Sequence, residues 1–341
     1  IKSAARYYLI ADINLLNVAF EPIMSENLSD NGFYGKFNGN EFTISNVNVQ
    51  KDINLDDNIG LFRVLTGETG GSAGIYNLNL ENVNARGRKN VGALVGYANG
   101  YSAIENCRVT GGGAVEGSRS VGGLVGASSG SIINSSTVNT VTGKDVVGGL
   151  VGLLGEELQA TVADCYSTGA VLAEITDNYE INNFGAGGLA GVIQSAKVRA
   201  SFASGSVKVT SVDNFGYSTT ARVIGIGGFA GVYMAGEFLE ACFASGVVEA
   251  ENIGEMKNSG GRTIYFGAGG FVGVNLDDIN SCYASSSVDA KFTGDVQGSA
   301  SGNVAAGVGG ITGVSIGALQ DGYSSGSVNR TTLLGLTELP N

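Results

Sequence analysis

A six-residue phrase built on paired glycines recurs along this chain and restricts its fold more than any other feature. It reads "VGALVG" at 91–96, "VGGLVG" at 121–126 and again at 147–152, "AGGLAG" at 186–191, "IGGFAG" at 226–231, "AGGFVG" at 268–273 and "VGGITG" at 308–313. "IGLF" at 59–62 is a weaker first copy. A second phrase follows each copy after a short gap, in its full form I-x-x-C-Y-A-S-G-x-V. It appears as "IENCRVTG" (104–111), "IINSSTV" (132–138), "VADCYSTGAV" (162–171), "VRASFASGSV" (198–207), "LEACFASGVV" (239–248), "INSCYASSSV" (279–288) and "LQDGYSSGSV" (319–328), with "IYNLNLENV" (75–83) as the earliest version. The period is about 29 residues in the first half and about 40 in the second.

Glycine pairs in every unit would break helices, and no apolar stripe of period 3.6 is present. Each unit instead reads as three short β-type stretches. A unit of this size cannot bury its apolar face alone, but it can when stacked on its neighbours. The sequence therefore predicts an all-β parallel β-solenoid with one coil per repeat. About ten coils at strand spacing make a rod roughly 50 Å long. Residues 1–341 form a single solenoid domain in this reading. Residues 1–58 are irregular first coils or a cap, 59–171 short-repeat coils, and 172–328 long-repeat coils. Residues 329–341 are a C-terminal cap or a truncated linker, since "TTLLGLTELPN" (331–341) is apolar and contains a proline. The chain opens at Ile1 without a methionine, which suggests a processed or trimmed fragment.

Like slots of successive coils should lie over one another and form ladders. Alternation within "CYASGSV" puts Cys, Ala, Gly and Val on one face and the aromatic and Ser on the other. The small apolar set is expected inside and the rings outside. The aromatic slot holds Tyr166, Phe202, Phe243, Tyr283 and Tyr323, with Arg108 and Thr137 in the preceding coils. The ring ladder reads either as a ligand-contact groove for a sugar or peptide, or as a stabilising stack. The insertions "VKVTSVDNFGYSTTARVIG" (207–225), "VEAENIGEMKNSGGRTIYFG" (248–267) and "VDAKFTGDVQGSASGNVAAG" (288–307) read as strand, polar turn, strand. They predict β-hairpin-like arms that extend two faces of the coil, stack on one another and widen the C-terminal half of the rod, and that fold over the rings, because an exposed row of rings would be a sticky patch. Cys107, Cys165, Cys242 and Cys282 share one slot, filled elsewhere by Leu78, Ser136, Ser201 and Gly322. They read as a structural column of buried thiols. Only Cys242 and Cys282 fall in adjacent coils, where a disulfide would be allowed.

Composition narrows the function. The chain has no histidine, so neither a Ser-His-Asp triad nor an ordinary zinc site can be built. The net charge of −12 argues against nucleic acid. No stretch is long and apolar enough to span a membrane. No catalytic residue, metal site or cofactor is predicted. Asp52, Asp56, Asp57, Asp277 and Asp278 are the acidic groups an enzyme would need to gather, and their positions are scattered. "NLDDN" (54–58), "TDNYE" (176–180) and "NLDD" (275–278) offer loop oxygens for calcium but lack the periodic spacing of calcium-binding nonapeptides. "TVNTVTG" (137–143) has the alternation of an ice-binding array but does not repeat in adjacent coils.

The G-G-L-V-G core followed by I-x-N-C-Y-A-S-G resembles the GLUG motif. The stretch "YYLIADINL…FYGKFNGNEFTISNVNV…NIGLF" is similar to the segment that leads into such repeats, although "FNGNEF" lacks the histidine usual there. The resemblance runs from about residue 7 to 328. It implies a right-handed, pectin-lyase-like parallel β-helix, a handedness that periodicity does not fix. It also implies extracellular or cell-surface bacterial proteins: adhesins, haemagglutinin-like proteins and non-catalytic regions of IgA-specific metallopeptidases. The function expected is a non-enzymatic adhesin stalk or binding region for an unknown glycan or surface protein, with further domains in the same polypeptide. The alternatives are a polysaccharide lyase or glycosidase on a β-helix, or a non-catalytic part of a secreted peptidase.

Overall fold

The computed structural model describes residues 5–24, 32–69, 73–176, 182–213, 221–258, 263–294, 296–298 and 304–332. Its strands stack in parallel into two sheets of ten, one of fifteen and one of nine, with a two-stranded extra sheet beside them. The coil at 102–128 shows the plan. Ser102–Glu105 lies in the first sheet, Arg108–Thr110 in the second, Ala114–Gly122 in the third and Val125–Ser128 in the fourth. Each strand pairs in register with its equivalent one coil on: Ala103 with Ser131, Arg108 with Ser136, Val115 with Val141, and Val125 with Val151. The ten strands of the first sheet are ten coils of a right-handed parallel β-helix. The coils at 73–98 and 102–128 have four strands where the repeat suggested three, because the stretch leading into the glycine phrase is itself a strand.

The inner face is a set of columns. Ile75, Ile104, Ile132, Val162, Val198, Leu239 and Ile279 line the first sheet and are all buried. Leu94, Leu124, Leu150, Leu189, Phe229 and Phe271 rise from the glycine phrase, and Phe229 and Phe271 stack with centroids 4.8 Å apart. The paired glycines follow from close approach. A Cβ on Gly149 would lie against the Gly188 carbonyl oxygen and the Ser167 hydroxyl, so no side chain fits there.

The turn between the first and second sheets is left-handed in every coil from 75 onward. Asn77, Asn106, Asn134, Asp164, Ala200, Ala241, Ser281 and Asp321 have φ between 47° and 56°. Asparagine tolerates this region better than most residues. Its amides also link the coils: Asn134 Nδ2 donates to Asn106 Oδ1 (2.7 Å), Asn106 to Asn77 (2.9 Å) and Asn77 to Asn38 (3.1 Å).

The third sheet forks. Ala114–Gly122 is one long strand whose first part pairs with Thr140–Lys144 and whose last part pairs with Val146–Gly148. Beyond this point each coil contributes an outgoing limb, such as Val207–Val212, and a returning limb, such as Arg222–Gly227. These are the arms anticipated from the insertions. Their limbs pair with the same limbs of neighbouring coils: Val207 with Val248, and Ile224 with Phe266. They are therefore not hydrogen-bonded as hairpins. Parallel stacking satisfies each backbone coil to coil and leaves the facing limbs to pack by side chains. Phe184, Ile224, Ile253, Phe266 and Phe292 are buried between them, continuous with the main core. Arg222, only 3% exposed, lies over the Phe184 ring.

The segment read as irregular first coils joins the same sheets. Arg6–Tyr8 and Lys36–Asn38 continue the first sheet, and Ile13–Asn14 and Thr43–Ser45 the second. "FTISNVNV" is not one strand, since Asn46 turns the chain with φ 59°. Most of the C-terminal stretch read as a cap lies outside the described residues.

Candidate functional site

The second sheet carries the ring ladder. Its outer column runs Asn79, Arg108, Ser136, Tyr166, Phe202, Phe243, Tyr283 and Tyr323 by strand register. Ser136, not Thr137, stands in the aromatic slot, and Ser135, not Ser136, stands in the cysteine slot. "NSST" offers no landmark to the eye, whereas hydrogen bonding decides the register: the Cys107 amide donates to Ser135 Oγ at 3.1 Å.

The five rings stack with nearly parallel planes. Tyr166 and Phe202 are 4.9 Å apart at 5°, Phe202 and Phe243 4.9 Å at 8°, Phe243 and Tyr283 5.0 Å at 4°, and Tyr283 and Tyr323 5.2 Å at 3°. Tyr166, Phe202, Phe243 and Tyr283 are half-buried rather than hidden, and Tyr323 is 61% exposed. Each inner ring therefore has both faces against other rings and turns only an edge to solvent. Stacking on a sugar needs a free face, so the ladder presents little of what a sugar platform uses.

One step inward lies the column Leu78, Cys107, Ser135, Cys165, Ser201, Cys242, Cys282 and Gly322. All four cysteines are buried and unbridged. Their thiols donate to main-chain carbonyls, as Cys165 does to Ala163 O at 3.1 Å and Cys242 to Glu240 O at 3.1 Å. Burial pushes the Cys107 and Cys165 thiols up to about 12. Serines separate Cys107, Cys165 and Cys242, while Cys242 and Cys282 are direct neighbours in the column, with the Cys282 thiol donating to Asn280 O at 3.2 Å.

The acidic residues noted in the sequence do not gather at one place. Asp57 accepts a bidentate bond from Arg88 (2.8 and 2.7 Å), which holds its carboxyl below the usual range. Asp56 accepts from the Asp52 amide (3.1 Å). Asp277 and Asp278 accept from the amides of Gly236 and Ala318 (2.9 and 2.8 Å), tying one coil to the next. Of "TDNYE", only Thr176 lies within the described residues, and it donates to Asp145 (2.7 Å).

Among the described residues, two clefts bear on function. One, of about 230 Å³, lies at the fork between the third and fourth sheets and is lined by Lys89, Arg119, Glu156, Gln194, Val146 and Leu153 among others. The other, of about 200 Å³, lies on the outer face of the first sheet and is lined by Arg6, Tyr7, Tyr8, Lys36, Asn38 and Tyr76. Sequence reading found neither, because each assembles residues from different coils at unequal spacings. The asparagine ladder was also missed, although Asn precedes the cysteine slot in three successive copies.

With this geometry in place, comparison with known proteins adds the family. Residues 87–115 match the family described as "The GLUG motif". The tandem phrases on either side of that match are consistent with a GLUG-motif repeat protein. The repeats are 31% identical over 231 residues to an immunoglobulin A1 protease of Streptococcus sanguinis, a match covering 65% of this chain and 11% of that protein. They are 28% identical over 234 residues to an immunoglobulin A1 protease of Streptococcus pneumoniae, covering 65% of this chain and 10% of that protein. Over 114 residues they are 40% identical to halomucin of Haloquadratum walsbyi, covering 33% of this chain and 1% of that protein. The GLUG chain thus spans a small fraction of each curated relative. A crystal structure of a candidate immunoglobulin A1 protease from Bacteroides ovatus shares the fold, with a TM-score of 0.53 and 22% identity over 72% of this chain and 70% of that one.

Proposed function

We propose that the chain is a non-catalytic rod of a secreted or cell-surface bacterial protein, which presents a surface that adheres to a glycan or protein. One observation carries the reading. Within the first sheet the inner column keeps its character from coil to coil (Ile75, Ile104, Ile132, Val162, Val198, Leu239, Ile279), while the neighbouring outward column changes at every step (Tyr8, Asn38, Tyr76, Glu105, Ile133). A scaffold that repeats inside and varies outside keeps its shape while the chemistry it displays changes along its length. The kinship with immunoglobulin A1 proteases supports a secreted setting, with the GLUG rod as a part apart from the chemistry those names describe.

The test is to immobilise the purified chain against an array of glycans and surface proteins, and to incubate it with the same polysaccharides in solution. Selective retention without release of reducing ends or unsaturated uronides is expected. Catalytic release of such products, or a featureless array, overturns the proposal.

A further inference from the structure

On the outer face of the first sheet, Arg6 and Lys36 are register partners on adjacent strands. Like charges placed so are destabilising, and elsewhere such cross-coil positions pair opposite charges. Arg86 faces Glu116 (3.3 Å), Lys144 faces Glu174 (3.5 Å) and Lys208 faces Glu249 (3.4 Å). Arg6 and Lys36 have no carboxylate partner among the described residues, in a chain whose net charge is −12. The next residue in their column is Gly74, which puts no side chain of its own beside Lys36. A Cβ on Gly74 would strike the Tyr76 ring, which lies across that place. Tyr7 packs on Phe33 (5.7 Å) yet stays 49% exposed in this first coil, and alternation turns Tyr8 outward, where it is 54% exposed; both line the cleft. Tyr8, Asn38 and Tyr76 are consecutive members of the neighbouring outward column. Glu105 follows Tyr76 in that column and bounds the basic patch on that side.

Resting on the adhesive reading above, we infer that this cleft of about 200 Å³ is a binding site for a carboxylated sugar. Two cations about one strand spacing apart (~4.8 Å) bracket a single carboxylate. The tyrosines supply apolar ring surface for the C–H face of a pyranose, which the stacked ladder on the second sheet does not. Asn38 lines the cleft and meets sugar hydroxyls. An acidic peptide would use the cations but has no flat apolar face to set against the rings.

Titration calorimetry with trigalacturonic acid, its carboxyl-reduced neutral counterpart and hexaglutamate tests the site. Trigalacturonic acid should bind, weaken as salt is raised, and exceed the other two by about tenfold. The double variant Arg6→Gln/Lys36→Gln should lose about tenfold and Tyr8→Ala several-fold, both with unchanged melting temperature, since these side chains are exposed. Gly74→Val, which displaces the Tyr76 ring from its place over this position, should also lose binding. The assignment is overturned if hexaglutamate binds as well as the sugar, if the double variant binds like the parent, or if no binding is seen at millimolar concentration. Array binding that survives the double variant would sink this site and leave the adhesive reading standing. A chain that binds nothing on the array sinks both.

Discussion

At the scale of the residue, the turn before the cysteine slot matters most. Asn106 is held at φ 55°, donates its amide to Asn77 and accepts from Asn134. Asn106→Ala should cost about 1–2 kcal/mol in chemical denaturation, combining left-handed strain with two lost side-chain bonds. Ala241 occupies the same turn at φ 51° with no such side chain. Ala241→Gly should therefore stabilise by about 0.5–1 kcal/mol, the opposite of glycine's usual effect in regular structure. A loss of stability in that variant would show that the turn is not strained. The sequence did not disclose this column because Asn, Asp, Ala and Ser all occur in it, and their shared property is a backbone angle rather than a chemistry. The ring column was legible for the opposite reason: five aromatics in one slot leave little else to read. The slip at 134–137 belongs to the same contrast, since a run of small polar residues has no member that only one slot can hold.

At the scale of the element, a column fixes which side chains meet. Adjacent coils put like residues about 4.8 Å apart, within the Cα range of a disulfide, whereas two coils are too far. Oxidising the chain as it folds should remove two of its four alkylatable thiols and cross-link Cys242 to Cys282. Peptide mapping that finds Cys107 or Cys165 in the link would contradict the register. For the rings, the double variant Phe243→Ala/Tyr283→Ala should keep the array binding of the parent and melt lower, by about 1–3 kcal/mol, because the ladder offers edges to solvent and its faces to itself. Lost binding at full stability would make the ladder the contact surface. The arms were legible as strand, turn, strand stacked on one another, but the lack of a hydrogen-bonded ladder between the two limbs was not. A sequence shows that two stretches are β-like and close along the chain, which favours a hairpin by proximity. It does not show that a parallel partner one coil away already satisfies both backbones.

At the scale of the whole molecule, the fold was readable because one coil is the unit of both sequence and structure. Removing a whole coil should then be tolerated and removing half a coil should not. Deleting residues 103–130 joins Ser102 to Ser131 in place of Ala103, its register partner. That variant should unfold cooperatively and be shorter by about 5 Å in small-angle scattering. Deleting residues 103–116 puts inner positions outside and should yield no folded chain; cooperative melting there would refute the coil assignment. The surface cleft was not readable, because it joins positions 6, 8, 36, 38, 74 and 76 through the winding, and no local pattern marks residues that meet only across three successive coils.

The fork in the third sheet has one more consequence. Each limb is hydrogen-bonded to its own kind above and below, so an arm can grow or shrink between generations without altering the rise from coil to coil. Length along the axis and girth across it are thereby set by separate features of the gene: the number of copies, and the size of the insert in each. A lineage could thicken one stretch of such a protein, or graft new material at an arm tip, while everything beyond it keeps its position along the axis.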